Sequence, residues 1–237
     1  MIVRTAILLV FWALLILAAA PILLACVLVD APDAFVAFGR WAMRISRILV
    51  NLDVAVENAE RMISPRPCVF MANHGGFIDG PLLVMLIPPP LRILPKKSLF
   101  RIPVIGLAMR FTGFVPVDRK GKQGGKASVE RAVSFMRERN YSFLIFPEGT
   151  RTRTGVLQPF RRGGFFLALK TGAPIVPISI SGSFAIMRRG RWIPRKGRVH
   201  VLVHPAVPVE GFTEDTMTGL VERVRDAVAS GLKESRV

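Results

Sequence analysis

The sequence predicts an α/β fold, a mostly parallel mixed sheet flanked by helices, with an N-terminal membrane-associated helical motif. Two observations predict the sheet and one the motif. Beyond residue 58, short apolar runs alternate with helix-period segments, the pattern of strands joined by helices. Turn-forming residues punctuate those runs. Ahead of them, no charged residue stands between Thr5 and Val29. The division expected is therefore residues 1–58 as a two-helix membrane anchor and residues 59–237 as one α/β domain, a length that supports a sizeable core.

Taken in chain order, the uncharged run comes first. At about 1.5 Å per helical residue it exceeds the roughly 30 Å hydrocarbon core of a bilayer. A secretory signal has a shorter apolar region and a small-residue cleavage site, whereas this run continues through Leu28 and Val29 to Asp30, so a retained anchor is expected. Pro21 leaves two forms open, a full span and a hairpin dipping into one leaflet. Residues 33–50 mix Phe35, Phe38, Trp41, Ile45 and Ile48 with Arg40, Arg44 and Arg47, which suits a helix in the headgroup region or an amphipathic core helix.

Candidate strands follow at residues 68–72, 92–95, 114–117, 142–146, 175–181 and 199–204. Between them Val129, Ala132, Val133 and Met136 repeat at helical spacing with charged residues outside. A last helix is expected to begin at a Thr213 cap, with Glu214 and Asp215 in its first turn and Leu220, Val221, Val224, Val228 and Leu232 inward. The loops are residues 88–90, the glycine-rich 121–125, 148–164 and the basic 188–198 around Trp192, a segment suited to a membrane surface. Cys26 and Cys68 lack metal-ligand spacing and read as small apolar fillers.

Charge narrows the partners. Residues 1–58 hold four Lys/Arg and four Asp/Glu, so the whole formal excess of +17 belongs to the body. That excess implies an anionic partner, either acidic lipid headgroups or a phosphorylated substrate. Nucleic acid is disfavoured, because the aromatic residues are mostly Phe inside apolar runs and no binding motif occurs. The positive-inside bias keeps such a body cytoplasmic.

Two stretches carry chemistry. In "NHGGFIDG", residues 73–80, His74 follows a strand and so sits where open α/β sheets place ligands. Gly75 and Gly76 let backbone and substrate come close, and Asp79 is placed to meet the imidazole. A carboxylate on one ring nitrogen fixes the tautomer and leaves the other to accept a proton. With no serine or cysteine beside the pair, the hydroxyl to be activated belongs to the substrate. The alternative is a helix-capping Asp79 and a loop histidine with no chemistry. In "FPEGTRTRTG", residues 146–155, Pro147 ends a strand and Gly149 permits a sharp turn that presents Glu148, Thr150, Arg151 and Arg153. An arginine there suits a phosphate. His200 and His204 fall in a strand pattern about 13 Å apart, too far to share one ion with each other, so no metal is expected.

These two stretches resemble the Asn-His-x4-Asp and Phe-Pro-Glu-Gly-Thr-Arg signatures of the glycerolipid acyltransferases typified by 1-acylglycerol-3-phosphate acyltransferase. "GFVPVDR" (113–119) and "APIVPISI" (173–180) are similar to two further blocks in the same order, and "LPKKSLFRIPVIG" (94–106) to a lysine-containing segment. The resemblance implies His74 as base and Asp79 as its orienting acid. It implies Arg119, Glu148, Gly149, Thr150 and Arg151 on the acceptor, with Lys97 as a further cation and Gly75 near the oxyanion. It implies acyl transfer from a thioester, acyl-CoA or acyl-acyl carrier protein, to the sn-2 hydroxyl of lysophosphatidic acid, giving phosphatidic acid without a cofactor at the inner membrane. Two rivals remain: the same chemistry on another lysolipid such as lyso-ornithine lipid, and a non-catalytic membrane protein that binds anionic lipid. Pro116 departs from the aliphatic residue common in its block.

Overall fold

Six strands form one sheet among the described residues, in the order β1-β6-β5-β2-β4-β3. They are β1 (Leu52–Glu57), β2 (Val69–Ala72), β3 (Leu91–Ile93), β4 (Ser142–Ile145), β5 (Ile175–Ser181) and β6 (Gly197–Val203). Only β5 and β6 run antiparallel, so the mostly parallel mixed sheet is as expected. The structure, a computed structural model, describes residues 2–118, 122–191 and 193–232.

The central strand β2 is buried at every position, which its unbroken Val-Phe-Met-Ala run requires. Val69 and Met71 face one layer, formed by α5 (Lys122–Arg139), α6 (Gly163–Thr171) and α8 (Met217–Ser230). Phe70 and Ala72 face the other, where α3 (Asp79–Leu86) packs through Leu82, Leu83 and Met85. The C-terminal ends of the strands therefore open between two helical layers, and the signature loops leave from those ends.

Four elements differ from the sequence reading. Residues 114–117 run beside the end of β3, with Val115 N–H on Ile93 O at 3.3 Å and Val117 N–H on Pro95 O at 2.9 Å. They make only a single bridge, between Lys96 and Val117, because Pro95 on the partner segment has no N–H to donate back to the Val115 carbonyl. Strand β1 lies on the N-terminal side of the 58/59 division and pairs with β6 from Leu52–Gly197 to Glu57–Leu202. Finally, α8 starts at Met217: Thr213 and Thr216 bond each other's backbone N–H groups at 2.8 and 3.4 Å, holding Glu214 and Asp215 in a turn ahead of the helix. Helix α5 also reaches back through residues 122–125, expected as loop; residue 121 lies outside the described residues. The packed face of Ala132, Val133 and Met136 offsets the cost of about 1 kcal/mol that each glycine brings to a helix.

The N-terminal residues form a hairpin of α1 (Ile2–Leu28) and α2 (Pro32–Val50). Helix α2 is fastened to the body. Arg40 donates to the carbonyls of Val84 (2.7 Å), Met85 (3.1 Å) and Ile87 at the end of α3, where a cation suits the exposed carbonyls. Asp33 pairs with Arg92 of β3, a fully buried guanidinium lying 3.8 Å over the Tyr141 ring. Helix α1 instead leaves most of its apolar side chains uncovered, Leu9, Leu14, Leu17, Leu24 and Leu28 among them. Thr5–Leu28 is the one described helix long and apolar enough, by length and composition, to cross a membrane. Both cysteines are buried and free.

Candidate active site

His74 sits two residues beyond β2, and its position is set from three directions. Its Nδ1 lies 2.9 Å from Asp79 Oδ2. Its ring stacks on Phe146 at 4.1 Å between centroids, with 19° between the planes. Its backbone N–H donates to Glu148 Oε1 at 2.5 Å, while its carbonyl accepts Thr152 N–H at 2.9 Å. The two signature stretches, 74 residues apart, are thereby one structure.

Asp79 opens α3 and is fully buried. The N-terminus of a helix suits its negative charge. Its Oδ2 also accepts Gly76 N–H at 2.8 Å, so one oxygen fixes both the loop and the imidazole, while Oδ1 is buried without a hydrogen-bond partner. Gly76 is required by close approach, since a Cβ there would stand 2.6 Å from the Ser183 carbonyl oxygen. The sequence reading left Asp79 open between a cap and a partner for His74, and the geometry has it touching the imidazole.

Glu148 is buried, and both of its oxygens are engaged within the protein. Oε1 takes His74 N–H; Oε2 takes Gln158 N–H at 2.9 Å and Gln158 Nε2 at 3.1 Å. Burial raises its pKa above the usual carboxylate range, opposed by the N–H groups of His74 and Gln158. It supports the site from behind. Arg151 faces outward from the same turn, its guanidinium 5.1 Å above the Phe77 ring. Burial lowers its pKa, as does the charge of Arg189, against the opposing charge of Asp79. Gly149 bends the turn at φ +74°, and Thr150 is exposed with its carbonyl on Gln158 Nε2.

The remaining expected residues are dispersed. Lys97 lies in a short 3-10 turn with its Nζ 3.2 Å from Asp118, and no contact joins it to His74 or Arg151 among the described residues. Arg119 lies outside the described residues, as does Trp192 of the basic loop. His200 pairs with Glu57 at 2.5 Å on the β6–β1 side, and His204 Nε2 meets Ser179 Oγ at 2.7 Å in the interior.

Sequence reasoning assigned no role to Asn73, Phe146, Thr152 or Gln158. Asn73 stands where β2 ends and bonds both backbone groups of Ile180, accepting N–H at 2.7 Å and donating to the carbonyl at 2.9 Å. Its signal was present: a short amide at a strand end completes a ladder.

Two cavities adjoin this centre. One of about 370 Å³ is lined by Leu8, Leu9 and Trp12 of α1, Met43 and Val50 of α2, and Phe77, Ile78 and Pro81 around Asp79. The other, about 910 Å³, lies beyond Phe146, Pro147 and Gly149 and is bordered by Asp118, Lys126 and Arg161.

Comparison with known proteins shows the family. The chain is 35% identical to the chloroplastic 1-acyl-sn-glycerol-3-phosphate acyltransferase of Brassica napus over 71% of its own length and 47% of that protein's. It is 29% identical to the 1-acyl-sn-glycerol-3-phosphate acyltransferase of Saccharomyces cerevisiae, over 82% of this chain and 65% of the relative. It therefore spans between about half and two thirds of these relatives. A crystal structure of the 1-acyl-sn-glycerophosphate (LPA) acyltransferase PlsC from Thermotoga maritima superposes with a TM-score of 0.78 at 25% identity, covering 97% of this chain and 96% of that one. A family model described as Acyltransferase matches residues 53–181, which hold His74, Asp79, Glu148 and Arg151. The chain belongs to the acyltransferase family.

Proposed function

We propose that the protein moves a fatty acyl group from a thioester to the free hydroxyl of lysophosphatidic acid, forming phosphatidic acid. One observation carries the reading: His74 Nδ1 is held 2.9 Å from the buried Asp79, so Nε2 is the ring nitrogen left for chemistry. In this reading Nε2 takes the proton of the acceptor hydroxyl as its oxygen attacks the thioester carbonyl. The carbonyl oxygen becomes an oxyanion, for which Gly75 N–H is the proposed donor. Collapse breaks the carbon–sulfur bond, and the departing sulfur recovers the proton from His74. Asp79 stabilises the imidazolium between the two steps.

The apolar cavity beside Asp79 is a suitable place for an acyl chain, since α1 and α2 supply its walls. Arg151 is the proposed phosphate contact, with Thr150, Arg119 and Lys97 assigned to the acceptor on the family resemblance. Glu148 and Gly149 shape the turn that carries Arg151. The donor is acyl-CoA or acyl-acyl carrier protein, and the chemistry needs no further cofactor. The exposed apolar surface of α1 supports an anchor at the cell inner membrane with the basic body on the cytoplasmic side.

The test is a panel of lysolipid acceptors, lyso-ornithine lipid included, assayed with purified protein and both donor types. Phosphatidic acid from lysophosphatidic acid as the preferred product is expected. Acylation of another lysolipid alone would move the assignment to that acceptor, and anionic-lipid binding with no acyl transfer would leave only the binding role.

A further inference from the structure

We propose that the turn Arg188–Arg191 completes an anion site with Arg151, and that Arg189 makes the enzyme select an acceptor bearing a phosphate monoester over one bearing a phosphodiester. The proposal rests on the acyltransferase reading above and concerns which lysolipid that site takes.

The turn is a built element. Arg191 N–H closes onto Arg188 O at 3.1 Å, and Gly190 between them has φ +87°, a conformation that favours glycine. It is pinned against the catalytic loop. Met187, the last residue of α7 (Ser183–Met187), accepts Phe77 N–H at 2.9 Å, and α7 is the segment that leaves no room for a Cβ on Gly76. Phe77 in turn carries Arg151 on its ring. Arg189 stands two residues past Met187, so the turn that carries it leaves directly from the residue bonded to Phe77, whose ring carries Arg151 and which lies three residues from His74.

The charges there are unbalanced. Neither Arg151 nor Arg189 has an ion-pair partner among the described residues, and Arg188 and Arg191 share the turn with Arg189. The nearby carboxylate, Asp79, is committed to His74 and Gly76. Burial first, and then the charge of Arg189, disfavours the Arg151 cation, and an anion between the two arginines relieves that repulsion. A phosphate monoester carries between about −1.5 and −2 at pH 7 and three acceptor oxygens, enough for two guanidinium forks. A phosphodiester carries a single charge and two free oxygens, so it satisfies one fork. Lysophosphatidic acid ends in the first group, whereas lysophospholipids with substituted phosphates carry the second.

Two other sources present related chemistry, the 3′-phosphate of acyl-CoA and the anionic surface of the bilayer. The experiment separates them. Steady-state kinetics in mixed micelles compare wild type, Arg189→Ala and Arg189→Lys on lysophosphatidate and on lysophosphatidylglycerol of the same chain, with acyl-CoA and acyl-dephospho-CoA as donors. For Arg189→Ala the expected result is a KM for lysophosphatidate raised about tenfold with kcat within about twofold, and lysophosphatidylglycerol nearly unaffected. Donor KM values stay unchanged, Arg189→Lys falls between, and thermal melting matches wild type. Gly190→Ala, which strains the turn, shifts selectivity in the same direction. Equal losses on both acceptors, a defect confined to acyl-CoA, or lost vesicle binding with unchanged micellar kinetics would each overturn the proposal. Wild-type turnover with unaltered selectivity in Arg189→Ala overturns this inference alone, whereas a wild type that acylates neither acceptor overturns the parent reading with it.

Discussion

Glu148 Oε1 accepts the backbone N–H of His74 at 2.5 Å, and the same turn returns a bond through Thr152 N–H to the His74 carbonyl at 2.9 Å. The arginine-bearing turn thus grips the histidine's backbone from both sides. What the side chain of Glu148 does is hold another residue in place.

Replacing Glu148 by Gln keeps the size but offers one acceptor oxygen where three N–H groups now converge, and turns an amide N–H₂ toward one of them. A displacement of His74 by about 1 Å costs roughly 100-fold in rate. The expected result is a kcat lowered by about that factor with acceptor KM changed less than about threefold. Raised KM at retained kcat would instead give Glu148 the acceptor-binding role implied by the family resemblance.

Asn73 joins the end of β2 to Ile180 through one donated and one accepted bond. Asn73→Asp keeps the acceptor and turns a carboxylate oxygen toward the Ile180 carbonyl, leaving buried groups unpaired. A loss of about 1–3 kcal/mol in unfolding free energy is expected by chemical denaturation. Unchanged stability would show that the bond pair is dispensable.

His204 supplies a pH dependence. Burial lowers its pKa from the ordinary 6.5, and the charge of Arg61 adds to this. A depressed folded-state pKa contributes stability that is present above the unfolded value and lost as pH falls through the folded one. Unfolding free energy of the wild type should therefore decline below about pH 6.5 more steeply than that of His204→Gln, which cannot titrate. Parallel curves between neutral and mildly acid pH would refute this.

Leu9 lines the apolar cavity beside Asp79 and has its outer side uncovered, so a larger side chain meets little resistance from the fold. Leu9→Trp should narrow the cavity and shift donor preference toward shorter acyl chains, read as the ratio of kcat/KM for long and short donors. An unmoved ratio would place the acyl chain elsewhere.

The parts of this architecture that were legible in the sequence are those with local causes. Val69 to Ala72 reads as a buried strand because every position is apolar, and His74 with Asp79 reads as a pair because five residues cover one loop and the first turn of α3. Strand β1 was hidden because Leu52, Val54 and Val56 follow directly on α2, while their partner β6 begins 145 positions later. The Arg92–Asp33 pair, which joins a fully buried guanidinium of β3 to a carboxylate of α2, has no sequence signal at all. Glu148 lies in the turn that follows β4, but the direction of its carboxylate depends on Gln158 and on the backbone of a residue 74 positions earlier. Local pattern reports which groups are near a strand end, and tertiary contact decides which way they face.

The central claim is that His74 takes the proton of an acceptor hydroxyl. The most direct measurement is the turnover of His74→Ala with lysophosphatidic acid and acyl-CoA, alongside its melting temperature and membrane partition. A positioned general base contributes roughly 10²–10⁴, so a loss of at least about 100-fold in kcat is predicted, with folding and partition intact. Near-normal turnover by that variant would contradict the account.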